Sequence, residues 1–160
     1  FMGAGKSTVG KELSLLLEME CIDTDELIQN EEQMTIEALF ERYGEKYFRN
    51  KEEKIIKKIS KLKNNIISCG GGVVLCETNI INLKENGRVI YLETKPETIY
   101  SRIHKDTTRP LLKDHMALDN IEKKLEARKE LYNKAADFTI CTDNKMANEI
   151  AQEIITLLCR

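Results

Sequence analysis

Gly3-Ala4-Gly5-Lys6-Ser7-Thr8, at the head of this 160-residue chain, is the end of the pattern G-x-x-x-x-G-K-[ST]. Only the first glycine of the pattern is absent; it would fall one position before Phe1. Each residue type has a physical task. Glycines let backbone N–H groups turn inward around phosphate oxygens. Lys6 reaches the outer phosphates, and the Ser7 hydroxyl suits a magnesium ion. The helix that follows directs its positive end at the same anion. A loop of this kind normally hangs from a buried strand. A strand and a glycine are therefore expected upstream of Phe1, and the sequence reads as truncated there.

Outward from the loop, Val9, Leu13, Leu16 and Leu17 recur at helical spacing. Glu20-Cys21-Ile22 reads as a short strand ending at Asp23-Thr24-Asp25. Thr35 is placed to cap a helix carrying Ile36, Leu39 and Phe40. Gly44 is expected to break it before a long helix from about Glu45 to Leu62. Asn65 to Cys69 reads as a buried strand that stops at Gly70-Gly71-Gly72. A helix near Thr78–Glu85, a strand over Arg88–Leu92 and a helix from Pro96 to about Lys105 follow. Asp106 to Ala117 is polar and aperiodic and reads as a mobile loop. Beyond it come a helix near Leu118–Lys134, a strand Phe138–Cys141 and a last helix Ala147–Leu158. Strands alternating with helices imply an α/β fold with a parallel sheet covered on both faces. Ligands then bind at the carboxyl ends of the strands, where every candidate motif falls.

Composition bounds the possibilities. The length suits one domain, 1–160. With 25 basic and 27 acidic residues the net charge is −2, which gives no electrostatic footprint for nucleic acid. No apolar run approaches a membrane span. Five cysteines, odd in number and without a C-x-x-C pair, indicate neither a zinc site nor a disulfide framework. Most read as small buried hydrophobes in a reducing cytoplasm.

The candidate chemistry lies in short motifs. Asp23 and Asp25 at a strand end can face a common metal–phosphate site, although a single Asp there would serve as a helix cap. Phe48-Arg49-x-x-Glu52 alone reads as a helix-surface ion pair. Three successive glycines at 70–72 suggest a close approach of backbone N–H groups to a polar ligand. Ser68, just upstream, is placed to hydrogen-bond a metal-bound water. Arg109-Pro110-Leu111-Leu112 sits in the polar loop, where a mobile arginine can exclude water and neutralise charge on a transferred phosphoryl group. Arg128 taken alone reads as an exposed helix charge. His104 and His115 read as surface residues.

Together these motifs, with Arg128 preceding Leu131-Tyr132, resemble the shikimate kinase family in order and approximate spacing across nearly the whole chain. The departures are the absent first strand and first glycine, and a loop at 106–117 rich in lysine and short of glycine. The resemblance implies a three-layer αβα P-loop kinase fold, with a mainly parallel sheet of five strands when complete. It implies a substrate-binding helical region at 26–62 and a lid at 106–117. The implied reaction moves the γ-phosphoryl of ATP, with Mg²⁺, to the 3-hydroxyl of shikimate, a step of aromatic amino acid biosynthesis. Gly3, Ala4, Gly5, Lys6, Ser7 and Thr8 would hold the nucleotide phosphates, and Ser7 and Asp23 the metal, with Ser68 assisting. Asp25 would orient the attacking hydroxyl. Phe48, Arg49, Gly70, Gly71, Gly72 and Arg128 would bind the substrate, with Phe40 beside Phe48, the two arginines clamping its carboxylate and Glu52 steadying Arg49. Lys6, Asp25 and Arg109 would be catalytic. Arg102 would pack on adenine, with Lys145 nearby and Arg109 arriving from the lid. A monomer is expected, without a nucleic-acid or membrane partner. Rival readings are a kinase for gluconate or a nucleoside monophosphate, and a nucleotide-binding module that has lost catalysis.

Overall fold

Among the described residues four short strands, all in parallel pairs, carry the site at their carboxyl ends. The computed structural model describes residues 1–105 and 117–159. In chain order its elements are α1 (Lys6–Leu17), β1 (Glu20–Asp23), α2 (Thr24–Glu32), α3 (Ile36–Ile59), β2 (Asn65–Ser68), α4 (Glu77–Asn86), β3 (Ile90–Glu93), α5 (Pro96–Lys105), α6 (Leu118–Ala135), β4 (Phe138–Cys141) and α7 (Ala147–Leu158). A 3₁₀ turn, Val73–Leu75, follows the glycine run. β1 pairs with β2 in the register Glu20↔Asn65 to Asp23↔Ser68, and β3 with β4 from Ile90↔Phe138 to Glu93↔Cys141. Parallel pairing needs long crossovers; α2 and α3 provide one, α5 and α6 the other.

The helices cover both faces. α1 packs on α7 through Val9, Leu13, Ile150 and Ile154. The opposite face is closed by Ile99, Ile103, Ile121 and Tyr132 from α5 and α6, against Tyr91 of β3. A third cluster, Ile28, Leu39, Phe48, Ile55 and Ile59, joins α2 to α3. Between β2 and β3 runs an apolar cleft of about 430 Å³, lined by Leu13, Ile66, Ile67, Ile90, Leu92 and Ile154 among others. The fifth strand expected upstream of Phe1 falls outside the described residues.

The sequence reading needs three local corrections. Leu16 is 45% exposed, because the buried side of α1 centres on Gly10. A Cβ there would lie 2.9 Å from Cys21 Sγ, so the helix sits hard against β1 on that side. Gly44 is non-helical (φ 78°, ψ 170°) and breaks the α3 span into two helices across a kink, as expected. β3 begins at Ile90 rather than Arg88, since the Val89 carbonyl accepts from the Asp137 and Phe138 N–H groups and the Val89 N–H donates to Asp137 Oδ2 at 2.7 Å. The cysteines are not uniformly buried: Cys141 and Cys159 are exposed, and all five are free thiols. Thr35 caps α3 as expected, its Oγ1 accepting from the Ala38 N–H. Among the described residues no helix is long and apolar enough to cross a membrane.

Candidate active site

The phosphate loop takes its shape from two left-handed glycines, Gly3 (φ 71°) and Gly5 (φ 93°). Residues with a Cβ rarely adopt that region. Gly5 is also the N-cap of α1, and no side chain caps that helix. An anion is the natural partner for the first-turn N–H groups of such a helix. Lys6 folds back over the loop, its Nζ donating to the Phe1 carbonyl at 2.7 Å.

Opposite the loop, one carboxylate organises three elements. Asp23 Oδ1 accepts from the N–H groups of Asp25 (3.0 Å) and Glu26 (3.4 Å) and so caps α2. Its Oδ2 accepts from the Ser7 hydroxyl (2.8 Å) and the Ser68 hydroxyl (3.0 Å). The cap is therefore Asp23, not Asp25, because the strand register makes Asp23 the last paired residue. Oxygen donors from Ser7 and Asp23 side by side fit a hard divalent cation, which keeps several waters and takes few protein ligands. Among the described residues no cluster of three or more His, Cys, Asp or Glu suits a metal.

The glycine run meets the substrate-side residues. A Cβ on Gly70 would sit 2.7 Å from Asp25 Oδ1, and one on Gly72 would sit 2.6 Å from Arg49 Cζ. Both side chains thus lie directly on the turn. The Gly70 N–H donates to Thr24 Oγ1 at 3.0 Å, so this amide is engaged within the protein rather than offered to a ligand. Thr24 is fully buried, a role its sequence position did not announce.

Arg49 is held from two sides. Its Nη1 donates to Glu52 Oε2 at 2.8 Å, and its Nε and Nη2 to Glu45 Oε1 at 3.2 and 3.1 Å. Glu52 is wholly buried and its Oε1 has no hydrogen-bond partner. Burial pushes the Glu52 carboxyl upward, and the Arg49 guanidinium opposes that shift. Arg49 also lies 5.1 Å over the Phe48 ring. Phe48 is buried, with Phe40 at 4.8 Å behind it, so this pair forms a wall beneath the arginine. Burial pushes the Tyr132 phenol above its ordinary pKa, and Arg128, half-buried one turn earlier on α6, opposes that shift.

On the nucleotide side, Arg102 is a strut. Its Nη1 donates to the carbonyls of Gly3 (3.4 Å) and Ala4 (3.3 Å) and to Thr142 Oγ1 (3.2 Å), and its Nη2 to the Thr142 carbonyl (3.0 Å). This ties the phosphate loop to the end of β4, leaving only the flat face of the guanidinium for stacking. Buried Thr94 and Thr142 share a 2.6 Å hydrogen bond that joins the ends of β3 and β4. Lys145 turns away to Glu153 of α7 at 2.5 Å. Thr8 is exposed on the first turn of α1. Arg109 and the expected lid lie outside the described residues, except Ala117, which leads into α6.

A phosphate loop, a paired Ser–Asp oxygen site and an arginine beside a glycine turn, on an αβα scaffold, define a P-loop kinase of small molecules. The comparisons specify the family. The family described as "Shikimate kinase" matches residues 2–159. The shikimate kinase of Caldicellulosiruptor bescii is 45% identical over 98% of this chain and 91% of its own length. That of Caldanaerobacter subterraneus subsp. tengcongensis is 43% identical over 97% of this chain and 90% of its own. Among solved structures, the shikimate kinase from Acinetobacter baumannii in complex with shikimate superposes with a TM-score of 0.91 and 35% identity, covering 99% of this chain and 88% of that one. The chain belongs to the shikimate kinase family.

Proposed function

We infer that this protein transfers the γ-phosphoryl of ATP to the 3-hydroxyl of shikimate, releasing ADP and shikimate 3-phosphate. The observation that carries this reading is the meeting of two chemistries at one sheet edge. The phosphate loop reaches Asp23 through Ser7, while Asp25 and Arg49 lie on the glycine turn beside it.

The geometry supports the following roles. The loop amides and Lys6 hold the phosphates. The Lys6 ammonium leaves the Phe1 carbonyl, a neutral acceptor, for a charged one, a stronger partner. Ser7 and Asp23 would hold Mg²⁺, with Ser68 keeping the Asp23 carboxylate oriented. Bound there, the ion would neutralise charge on the β- and γ-phosphates. Asp25 accepts the proton of the attacking hydroxyl, which it can do from its seat against Gly70. Arg49 and Arg128 bind the substrate carboxylate. The outer edge of Arg49 already accommodates the Glu45 carboxylate through two N–H donors, the pattern a substrate carboxylate would use. Arg109 belongs to the same reading as a lid arginine that stabilises charge during transfer, and Arg102 and Lys145 as the adenine-side residues. The reading extends to a cytoplasmic monomer without a nucleic-acid or membrane partner, supported by the near-balanced charge of −2.

The test is ADP release from MgATP with shikimate, gluconate or nucleoside monophosphates as acceptors. Release that requires shikimate alone supports the reading. Release with gluconate or a nucleotide, or nucleotide binding without turnover, refutes it.

A further inference from the structure

The Arg49 guanidinium is hemmed in on most of its outline. Its Nη1 donates to buried Glu52 at 2.8 Å. Its Cζ lies 5.1 Å from the centre of the Phe48 ring. Its Nη end abuts the glycine turn, where a Cβ on Gly72 would collide with both Nη atoms. The edge formed by Nε and Nη2 remains. Both of those nitrogens donate to one oxygen, Oε1 of Glu45, at 3.2 and 3.1 Å. We propose that Glu45 is a placeholder, whose carboxylate occupies the Nε–Nη2 edge of Arg49 in the empty site and swings away when the substrate carboxylate takes that edge. This rests on the reading that Arg49 binds that carboxylate.

Two carboxylates hold Arg49, and only one of them is free to leave. The Glu52 side chain has no exposure, whereas that of Glu45 is 59% exposed. Glu45 also has somewhere to go. It follows Gly44, whose left-handed φ of 78° starts a fresh helical segment at Glu45. A Cβ on Gly44 would meet nothing within 4 Å, so this glycine serves the direction of the chain and not a clearance. In the first turn of a helix the free N–H groups and the dipole favour a carboxylate. Glu45 released from Arg49 therefore keeps water and a helix end as partners. The bond it gives up is a weak one. A glutamate four residues before a base on one helix gains little, and exposed pairs of this kind gain least. The competition thus lowers affinity by a small factor, set by the fraction of molecules whose Nε–Nη2 edge is free. While the site is empty, the same contact gives a guanidinium that is only 22% exposed a second charged partner.

The test is steady-state kinetics of Glu45→Ala and Glu45→Gln, each made in the wild-type chain and in a chain carrying Arg49→Ala with Glu52→Gln. The second background lacks the arginine without stranding a charge in the α3 core. Glu45→Ala is expected to lower the shikimate KM about threefold, the size of a weak surface pair, and Glu45→Gln to lower it less. The MgATP KM should stay within about twofold, and calorimetric titration with shikimate alone should show the same gain in affinity. Without Arg49, the change at Glu45 should move the shikimate KM by less than about 1.5-fold. A rise in the shikimate KM on Glu45→Ala would make Glu45 a brace for Arg49 and overturns the proposal. An unchanged KM, or an equal effect in both backgrounds, overturns it too. Loss of Arg49 that leaves the shikimate KM unchanged would sink the carboxylate clamp, and the placeholder with it. A KM that rises on loss of Arg49 but does not fall on loss of Glu45 sinks the placeholder alone.

Discussion

Replacing Arg49 by alanine should damage this protein in two separable ways. The first is stability. Glu52 is fully buried, and among the described residues its side chain's only hydrogen-bond partner is Arg49, at 2.8 Å. Removing the arginine strands a carboxylate in the α3 core. Breaking a buried pair in this way costs about 3–5 kcal/mol. The lower end applies, since the Arg49 side chain is 22% exposed and water screens part of the pair. About 3 kcal/mol corresponds to a Tm loss of roughly 6–12 °C for a domain of this size. The loss should depend on pH with a definite sign. The Glu52 carboxyl is already raised above its ordinary value of 4.5 by burial, and without Arg49 nothing comparable opposes the shift. The folded variant then binds a proton more tightly than the unfolded chain. Its stability is greatest below the unfolded pKa and falls as pH rises through the folded one. The Tm deficit against wild type should therefore be larger at pH 8 than at pH 5. Adding Glu52→Gln to Arg49→Ala removes the charge and should restore most of the stability. It should not restore the second loss, shikimate binding, weakened by about 2–5 kcal/mol. Thermal melts at the two pH values and shikimate KM for the wild type and the two variants make the measurement. A Tm change under about 2 °C, or one equal at both pH values, would refute the buried-pair argument.

Three further outcomes are expected. Gly72→Ala introduces a Cβ against the Arg49 guanidinium, so the shikimate KM should rise while the MgATP KM holds; unchanged shikimate kinetics would show that Arg49 need not lie where it does. Asp23→Asn keeps an α2 cap of similar quality but loses the charge, so melting should shift little and MgATP-dependent turnover should fall steeply; a large Tm loss with turnover retained would make Asp23 structural alone. Arg109→Ala should reduce kcat on the order of 10³, with MgATP KM changing less, and a loss below tenfold would exclude Arg109 from charge stabilisation.

What could be read from the sequence alone follows a physical division. The phosphate loop was legible because Gly-Lys-Ser at a helix start is a local chemical requirement, and the observed φ values of Gly3 and Gly5 are local too. Strand and helix order was legible from periodicity for the same reason. The division of labour between Asp23 and Asp25 was not, because either can cap a helix, and only the pairing of Asp23 with Ser68 decides which one does. Arg102 illustrates the same limit. Its carbonyl partners lie about a hundred residues away, and no spacing rule predicts that a charged residue will brace a loop. Tyr132 stood in the sequence as the neighbour of a candidate arginine. Its buried hydroxyl donates to the Gly71 carbonyl, 61 residues distant.

The glycine run joins these levels most directly. Three glycines imply close approach, and close approach is what the fold contains, but to different partners than a ligand-facing loop would have. None of the three has a left-handed φ; the only positive-φ glycines are Gly3, Gly5 and Gly44. What the run supplies is room. Gly70 admits Asp25, Gly71 passes so close to the Phe1 backbone that a Cβ on it would lie 3.1 Å from Phe1 Cα, and Gly72 admits Arg49. On the proposed reading each clearance would serve a different part of the reaction: the group that meets the attacking hydroxyl, the phosphate loop and the carboxylate clamp. A single methyl at any of them displaces one part relative to the other two. That makes the turn the common reference for the site, and it explains why a stretch that weakens backbone order is set in the middle of an otherwise well-packed sheet edge.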